Sequence, residues 1–201
     1  MNALITGING FVGPYLKAHL EEKGIQVTGT DIHPGKGVDV PADIQDKVAI
    51  SKLISELKPD FIFHLAAQSS VKLSWEQPEL TRKVNIEGTK NLLDAVIAAK
   101  IKPKILLVSS ADVYGIPTKL PLTEESLLSP VSPYGESRLE QEKLALSYHF
   151  PIIISRSFTH TGPGQKPIFV CSDFAKQVVE VELGLRKEVS TGDLSIKRDI
   201  I

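Results

Sequence analysis

The chain has 201 residues, 42% of them hydrophobic, with 23 Lys and Arg against 24 Asp and Glu and a formal net charge of -1. That length supports one substantial core with a small appendage. The balanced charge, without a basic run, excludes a nucleic-acid or anionic-membrane partner, and no apolar stretch approaches the ~20 residues needed to cross a bilayer.

The first predicted strand, residues 3–5, starts almost at Met1, so no signal peptide is expected. It leads into Gly7, Gly10 and Gly13 and an amphipathic helix over 11–23. In a strand–turn–helix unit these glycines have distinct uses. Gly7 permits the turn, Gly10 lets the backbone approach a pyrophosphate, and Gly13 lets helix and sheet pack closely. Bare amides at the helix start then face the anion. This is a dinucleotide-binding pattern.

A second strand at 25–28 precedes Asp31. Its carboxylate either accepts hydrogen bonds from an adenosine ribose diol, favouring NAD over NADP, or is a solvated turn residue. Asp43 and Ile44 either contact adenine, or Asp43 caps the helix over 46–57. Next come a strand at 61–65, a loop bearing Trp75, and a helix over 79–99. A strand at 105–108, a helix over 134–148 and a strand at 152–154 follow. A helix over 168–183 and a short strand near 188–190 complete the series. Polar, Gly- and Pro-rich loops fall at 33–43, 115–133 and 159–167. The alternation predicts an α/β fold, a doubly wound parallel sheet with ligand at the carboxyl ends of its strands. The end of the chain carries no turn or cap signal, as in a chain that continues. The lone Cys171 excludes an internal disulfide and fits a reducing, cytoplasmic compartment; it reads as a small buried hydrophobe. No metal site is expected.

The strand at 105–108 runs into Ser109-Ser110-Ala111-Asp112-Val113-Tyr114-Gly115, and Ser132-Pro133-Tyr134-Gly135 opens a later helix. Tyr134 and Arg138 lie one helical turn apart. A Tyr beside a cation can exchange a proton at a substrate hydroxyl or carbonyl, and Ser110 can bond the same oxygen. Spacing alone equally fits a surface pair on an amphipathic helix.

The chain resembles the extended short-chain dehydrogenases/reductases, the family of nucleotide-sugar epimerases, dehydratases and reductases. Thr6-Gly7-Ile8-Asn9-Gly10-Phe11-Val12-Gly13, His64-Leu65-Ala66-Ala67-Gln68, Asn85-Ile86-Glu87-Gly88-Thr89, Ser109 to Gly115 and Ser132-Pro133-Tyr134-Gly135 carry the likeness. It implies a Rossmann fold over 1–157 and, over 158–201, the start of an incomplete C-terminal substrate lobe. It implies that Ser110 and Tyr134 act as the catalytic hydroxyls, and Arg138, in place of the family's Lys, is read as the residue that anchors the nicotinamide ribose and biases the Tyr. The dinucleotide would lie along Gly7, Asn9, Gly10, Phe11, Val12, Gly13, Leu65, Ala66 and Ala67, and Asn85 would be structural or at the site. Residues 156–165, 169–177 and 192–199 are similar to the GDP-mannose branch of dehydratases and reductases. There Thr159, His160, Lys176 and Arg198 would contact a GDP-hexose. A homodimer through the helices over 79–99 and 134–148 is also implied, with Leu92, Leu93, Val96 and Ile97 either at that interface or facing the sheet.

Three departures shape the functional expectation. Arg138 stands where the family usually has Lys; it keeps the charge but brings a larger planar fork that does not deprotonate. A 4,6-dehydratase usually has Glu just after its Ser or Thr, and here Ala111 and Asp112 occupy that place. The family also commonly runs well beyond this length. The expected activity is therefore NAD(P)-dependent reduction of the C4 ketone of a GDP-4-keto-6-deoxyhexose, with NAD favoured over NADP. The alternatives are a dehydratase using Asp112, a 4-epimerase, and an NAD(H)-binding module without turnover.

Overall fold

The computed structural model describes residues 1–197, 199 and 200. In chain order the elements are β1 (Asn2–Thr6), α1 (Gly13–Glu22), β2 (Gln26–Thr30), α2 (Lys47–Leu57), β3 (Phe61–His64), α3 (Val71–Glu76) and α4 (Pro78–Arg82). A π-helical turn, Lys83–Glu87, joins α4 to α5 (Gly88–Ala98). Then come β4 (Lys104–Ser110), a 3₁₀ turn (Ala111–Tyr114), α6 (Pro133–Leu146), β5 (Ile152–Ser157) and α7 (Val170–Glu182). The chain divides into two compact units, Met1–Arg156 and Ser157–Ile201.

The first unit is built on a five-stranded sheet in the order β2-β1-β3-β4-β5. β1 pairs in parallel with both β2 and β3, and β3 with β4. This Rossmann-like arrangement reverses direction at β1, so a crevice opens at the carboxyl ends of β1 and β3, where open α/β sheets take their ligands. Alternation along β1 feeds two cores. Leu4 packs with Ile50, Ile54, Ile62, Leu92, Val96 and Leu107 on one face, between the sheet, α2 and α5. Ala3 and Ile5 pack with Ile8, Leu20 and Val27 on the other, beneath α1. Each fully buried aliphatic side chain contributes about 1.5–3 kcal/mol, which fixes the strand ends that carry the site.

Several boundaries differ from the sequence expectation. β1, β2, β4 and β5 run past their expected ends, to Thr6, Thr30, Ser110 and Ser157, whereas β3 stops at His64, one residue short. Asp46, not Asp43, caps α2, its carboxylate accepting the Val48 and Ala49 amides at 2.9 and 3.0 Å. Trp75 lies in α3 rather than a loop and is 63% exposed, so it does not cover the core. Leu92, Leu93 and Val96 are buried within the chain, and of the four interface candidates Ile97 alone is exposed. Cys171 is half-buried.

In the second unit, α7 is anchored by Gln177, whose carbonyl oxygen accepts the Ser190 amide at 2.7 Å and whose amide donates to Asp173 at 2.6 Å. Residues 188–190 form no strand; the Gln177 contact replaces sheet pairing as the tether there. No helix among the described residues is long and apolar enough to cross a membrane.

Candidate active site

The turn after β1 is set by Gly7 at φ 73°. A Cβ there would meet the Ala66 nitrogen at 2.7 Å, and one at Gly13 would meet the Ile8 carbonyl oxygen at 2.2 Å. These two glycines serve packing of the loop against β3 and of α1 against the loop. Gly10 differs: a Cβ there would touch nothing but the Gly7 oxygen, at 3.1 Å, and the residue is exposed. α1 starts after Val12 with no side chain capping its amides. An open glycine backbone leading into an uncapped helix start fits a pyrophosphate. Beside the loop, the Thr30 hydroxyl is buried without a hydrogen-bond partner, a polar atom at the strand end left for a ligand or a water to satisfy.

Asp31 follows β2 and is fixed by two backbone amides, Asn9 at 3.0 Å and Ile32 at 2.9 Å. Each carboxylate oxygen retains a further acceptor site. The Asn9 amide side chain donates to the His33 carbonyl at 3.0 Å, strapping the loop after β2 to the glycine loop. Asp43 accepts the Gln45 amide at 2.8 Å and closes a local turn. The Ile44 side chain is buried against the Gly88 position. Phe11 and Val12 sit in the turn entering α1, while Leu65, Ala66 and Ala67 follow β3, with the Ala66 amide donating to the Thr6 hydroxyl at 3.2 Å.

Tyr134 and Arg138 are 7% and 4% exposed, which removes the surface-pair reading. Arg138 Nε donates to the Tyr134 hydroxyl oxygen at 3.2 Å, and Nη1 donates to the Val108 carbonyl at 3.1 Å and to Gln141 Oε1 at 2.9 Å. The guanidinium carbon lies 5.2 Å from the Tyr134 ring centroid, a cation–π distance. Among the described residues Arg138 has no ion-pair partner.

Ser110 ends β4, and its hydroxyl oxygen accepts the Asp112 amide at 3.2 Å, starting the 3₁₀ turn. The first turn of α6 lies against that 3₁₀ turn, where a Cβ on Gly135 would strike the Asp112 carbonyl oxygen at 2.8 Å. The two elements bearing Ser110 and Tyr134 are thereby held together. Behind them Glu142, 2% exposed, receives the Ser109 hydroxyl at 2.5 Å and a fork from Arg156, with Nη2 at 2.9 Å. The Glu142 hydrogen bond raises the Arg156 pKa further above its ordinary value, the Tyr114 hydroxyl adding to it. The Asp112 side chain is exposed.

Asn85, in the π-helical turn, bridges the loop after β3 to α6. Its oxygen accepts the Gln68 amide at 2.9 Å and its nitrogen donates to Ser137 Oγ at 2.9 Å. Sequence reading missed Thr6, His64, Thr89 and Gln141, which form a buried polar chain beneath the site. Thr6 Oγ1 lies 2.7 Å from His64 Nδ1, and His64 Nε2 lies 2.9 Å from Thr89 Oγ1. Gln141 Nε2 donates to Thr89 Oγ1 at 2.6 Å. Burial, and secondarily the Arg138 charge, lower the His64 pKa from 6.5 to about 3, so the ring is neutral. The signal for Gln141 was its place seven residues after Tyr134 and three after Arg138, on the same helical face.

In the second unit Thr159 is exposed, His160 Nδ1 lies 3.1 Å from the Phe158 carbonyl, and Lys176 pairs with Glu180 at 3.3 Å along α7. Arg198 lies outside the described residues.

The family model for GDP-mannose 4,6-dehydratases matches residues 4–201. The chain is 34% identical to a GDP-6-deoxy-D-mannose reductase of Pseudomonas aeruginosa over 206 residues, covering 98% of this chain and 65% of that protein. The chain thus spans less than two thirds of that relative. Among solved structures, RMD from Pseudomonas aeruginosa complexed with NADPH superposes with a TM-score of 0.87 at 33% identity, over 100% of this chain and 68% of that one. The Thermus thermophilus UDP-glucose 4-epimerase complex with NAD gives 0.81 at 30%, over 92% of this chain and 63% of that one.

Proposed function

The chain belongs to the GDP-mannose 4,6-dehydratase family, and from that premise we propose that it is a nicotinamide-dependent oxidoreductase of nucleotide sugars, reducing the C4 ketone of a GDP-4-keto-6-deoxyhexose. The observation that carries this reading is the buried Tyr134–Arg138 pair on the face of α6 that opens beside the end of β4. Bound NAD(P)H would supply the hydride to C4. Because Arg138 Nε donates to the Tyr134 oxygen, the phenolic proton is directed away from Arg138 and is available to the developing alkoxide. Ser110 retains its own hydroxyl proton for the same oxygen, since the Asp112 contact uses it as an acceptor. The neighbour with NADPH and the neighbour with NAD leave cofactor choice to Asp31, whose carboxylate favours a free ribose diol and repels a 2′-phosphate. Thr159, His160, Lys176 and Arg198 belong to the same proposal as sugar-nucleotide contacts.

The reductase reading is preferred to the dehydratase because the Asp112 side chain is exposed and shorter than the Glu that elimination uses. The test is to mix the chain with NADH or NADPH and GDP-4-keto-6-deoxymannose, following nicotinamide absorbance and sugar mass. Cofactor oxidation with a gain of two hydrogens on the sugar supports the proposal. Tight cofactor binding without turnover overturns it in favour of a binding module.

A further inference from the structure

The buried chain beneath the site has a polarity that valence alone settles. The Thr89 hydroxyl donates to the Asn85 carbonyl at 2.7 Å, so its oxygen can only accept from its other partners. Gln141 must therefore present its NH₂ to Thr89 and its oxygen to Arg138, and a neutral His64 must carry its proton on Nε2, toward Thr89. His64 Nδ1 then accepts the Thr6 hydroxyl, whose oxygen accepts the Ala66 amide. The chain therefore runs in one direction, and the Gln141 amide cannot flip without facing its oxygen to a hydroxyl with no proton left to give.

Arg138 lies at the end of this chain, next to Gln141. Its guanidinium is buried without an ion-pair partner among the described residues. The Val108 carbonyl is a single anchor on Nη1, and Nε bonds only the Tyr134 hydroxyl at which it has to be aimed. Gln141 Oε1, 0.2 Å closer than Val108 O, supplies the second anchor. Two acceptors on one nitrogen define the plane, and the plane aims Nε at Tyr134.

We propose that Gln141 is a positioning residue for the reaction, its amide locked in one orientation by Thr89 so that it fixes the Arg138 guanidinium against Tyr134. This rests on the function proposed above, and it assigns a role to a fully buried glutamine. Removing its polar head leaves Thr89 its bonds to His64 and Asn85, so the rest of the chain survives.

The test uses Gln141→Met, Arg138→Met and the double variant, with two independent readouts. In steady state, Gln141→Met lowers kcat about tenfold or more, with NADH affinity and thermal midpoint close to the parent. Adding it to Arg138→Met causes no further loss, since the two act as a unit. A kcat within twofold of the parent, or multiplicative losses in the double variant, overturns the proposal. The second readout is the Arg138 Nε–H resonance, assigned by its disappearance in Arg138→Met and by its shift in Tyr134→Phe. It should shift or broaden in Gln141→Met, and an unchanged resonance overturns the proposal. Because this arm needs no turnover, a chain inactive toward the sugar would refute the reductase reading while still deciding the role of Gln141.

Discussion

Arg138 Nε lies 3.2 Å from the Tyr134 hydroxyl oxygen across one turn of α6, and both residues are almost wholly buried. On the proposed function, this donor direction leaves the tyrosine proton for the substrate. Tyr134→Phe should keep the fold and the nicotinamide affinity while lowering kcat about 10²- to 10⁴-fold, the usual worth of one acid–base group. Single-turnover kinetics with a preformed NADH complex measure it.

The glycines separate by function. Gly7→Ala forces a side chain at φ 73° into the Ala66 backbone, and Gly13→Ala drives one onto the Ile8 carbonyl. Each should lower stability by about 1–3 kcal/mol or more, read as a fall in thermal midpoint. Gly10→Ala should fold with a near-parental midpoint, because its Cβ meets little, yet lose about tenfold or more in NADH affinity by obstructing the anion.

His64 makes stability pH-dependent. Its folded pKa of about 3 lies below the ordinary 6.5 of an unfolded chain, so between those values the unfolded state binds a proton that the folded state refuses. Stability is therefore full above pH 6.5 and falls as the pH drops, by about 1.4 kcal/mol per unit. Urea unfolding at pH 7 and pH 5 should differ by roughly 2 kcal/mol, and His64→Gln should flatten that slope.

Asp31 is held by the Asn9 and Ile32 amides beside the glycine loop, and on the proposed function it meets the adenosine ribose. Asp31→Ser removes the repulsion of a 2′-phosphate. The ratio of NADH to NADPH affinity should fall about tenfold or more, measured by fluorescence titration with each.

Asp112 discriminates the reductase from the dehydratase. With its carboxylate exposed and its amide engaged by Ser110, Asp112→Asn should leave C4 reduction within about twofold, a change too small for a lost acid–base group. Loss of water elimination from GDP-mannose, with C4 oxidation retained, would mark a dehydratase.

The sheet was legible because buried parallel strands are continuous apolar runs, and Leu4, Ile62 and Ile105 announce them. Their ends were not, since Thr30, Ser109 and Ser110 read as loop although they pair or pack at the crevice. The candidate site was legible where the proposed chemistry calls for special residues, in Gly7, Gly10, Asp31 and Tyr134. The roles of Gln141, Glu142 and Thr89 were invisible because a polar residue on a helix defaults to solvent, and no local pattern reveals the neutral His64 that meets Thr89. The π-helical turn escaped too, as the apolar period continues across it. The expected strand at 188–190 failed because that segment finds a side-chain partner, Gln177, instead of a ladder.

That π turn is, in register terms, one residue more than a regular helix would hold between Pro78 and Ala98. Its Lys83 carbonyl is bonded by the Gly88 amide, and Asn85 sits at the swelling with a bond toward each side of the crevice. Excising one residue would yield a straighter, locally more favourable helix, yet would rotate everything beyond the cut by about 100°. Leu92 and Leu93 would then leave the core or Asn85 would leave the crevice. The helix is therefore caught between two phases, and any attempt to idealise this scaffold by smoothing its longest rod would have to choose which end to abandon.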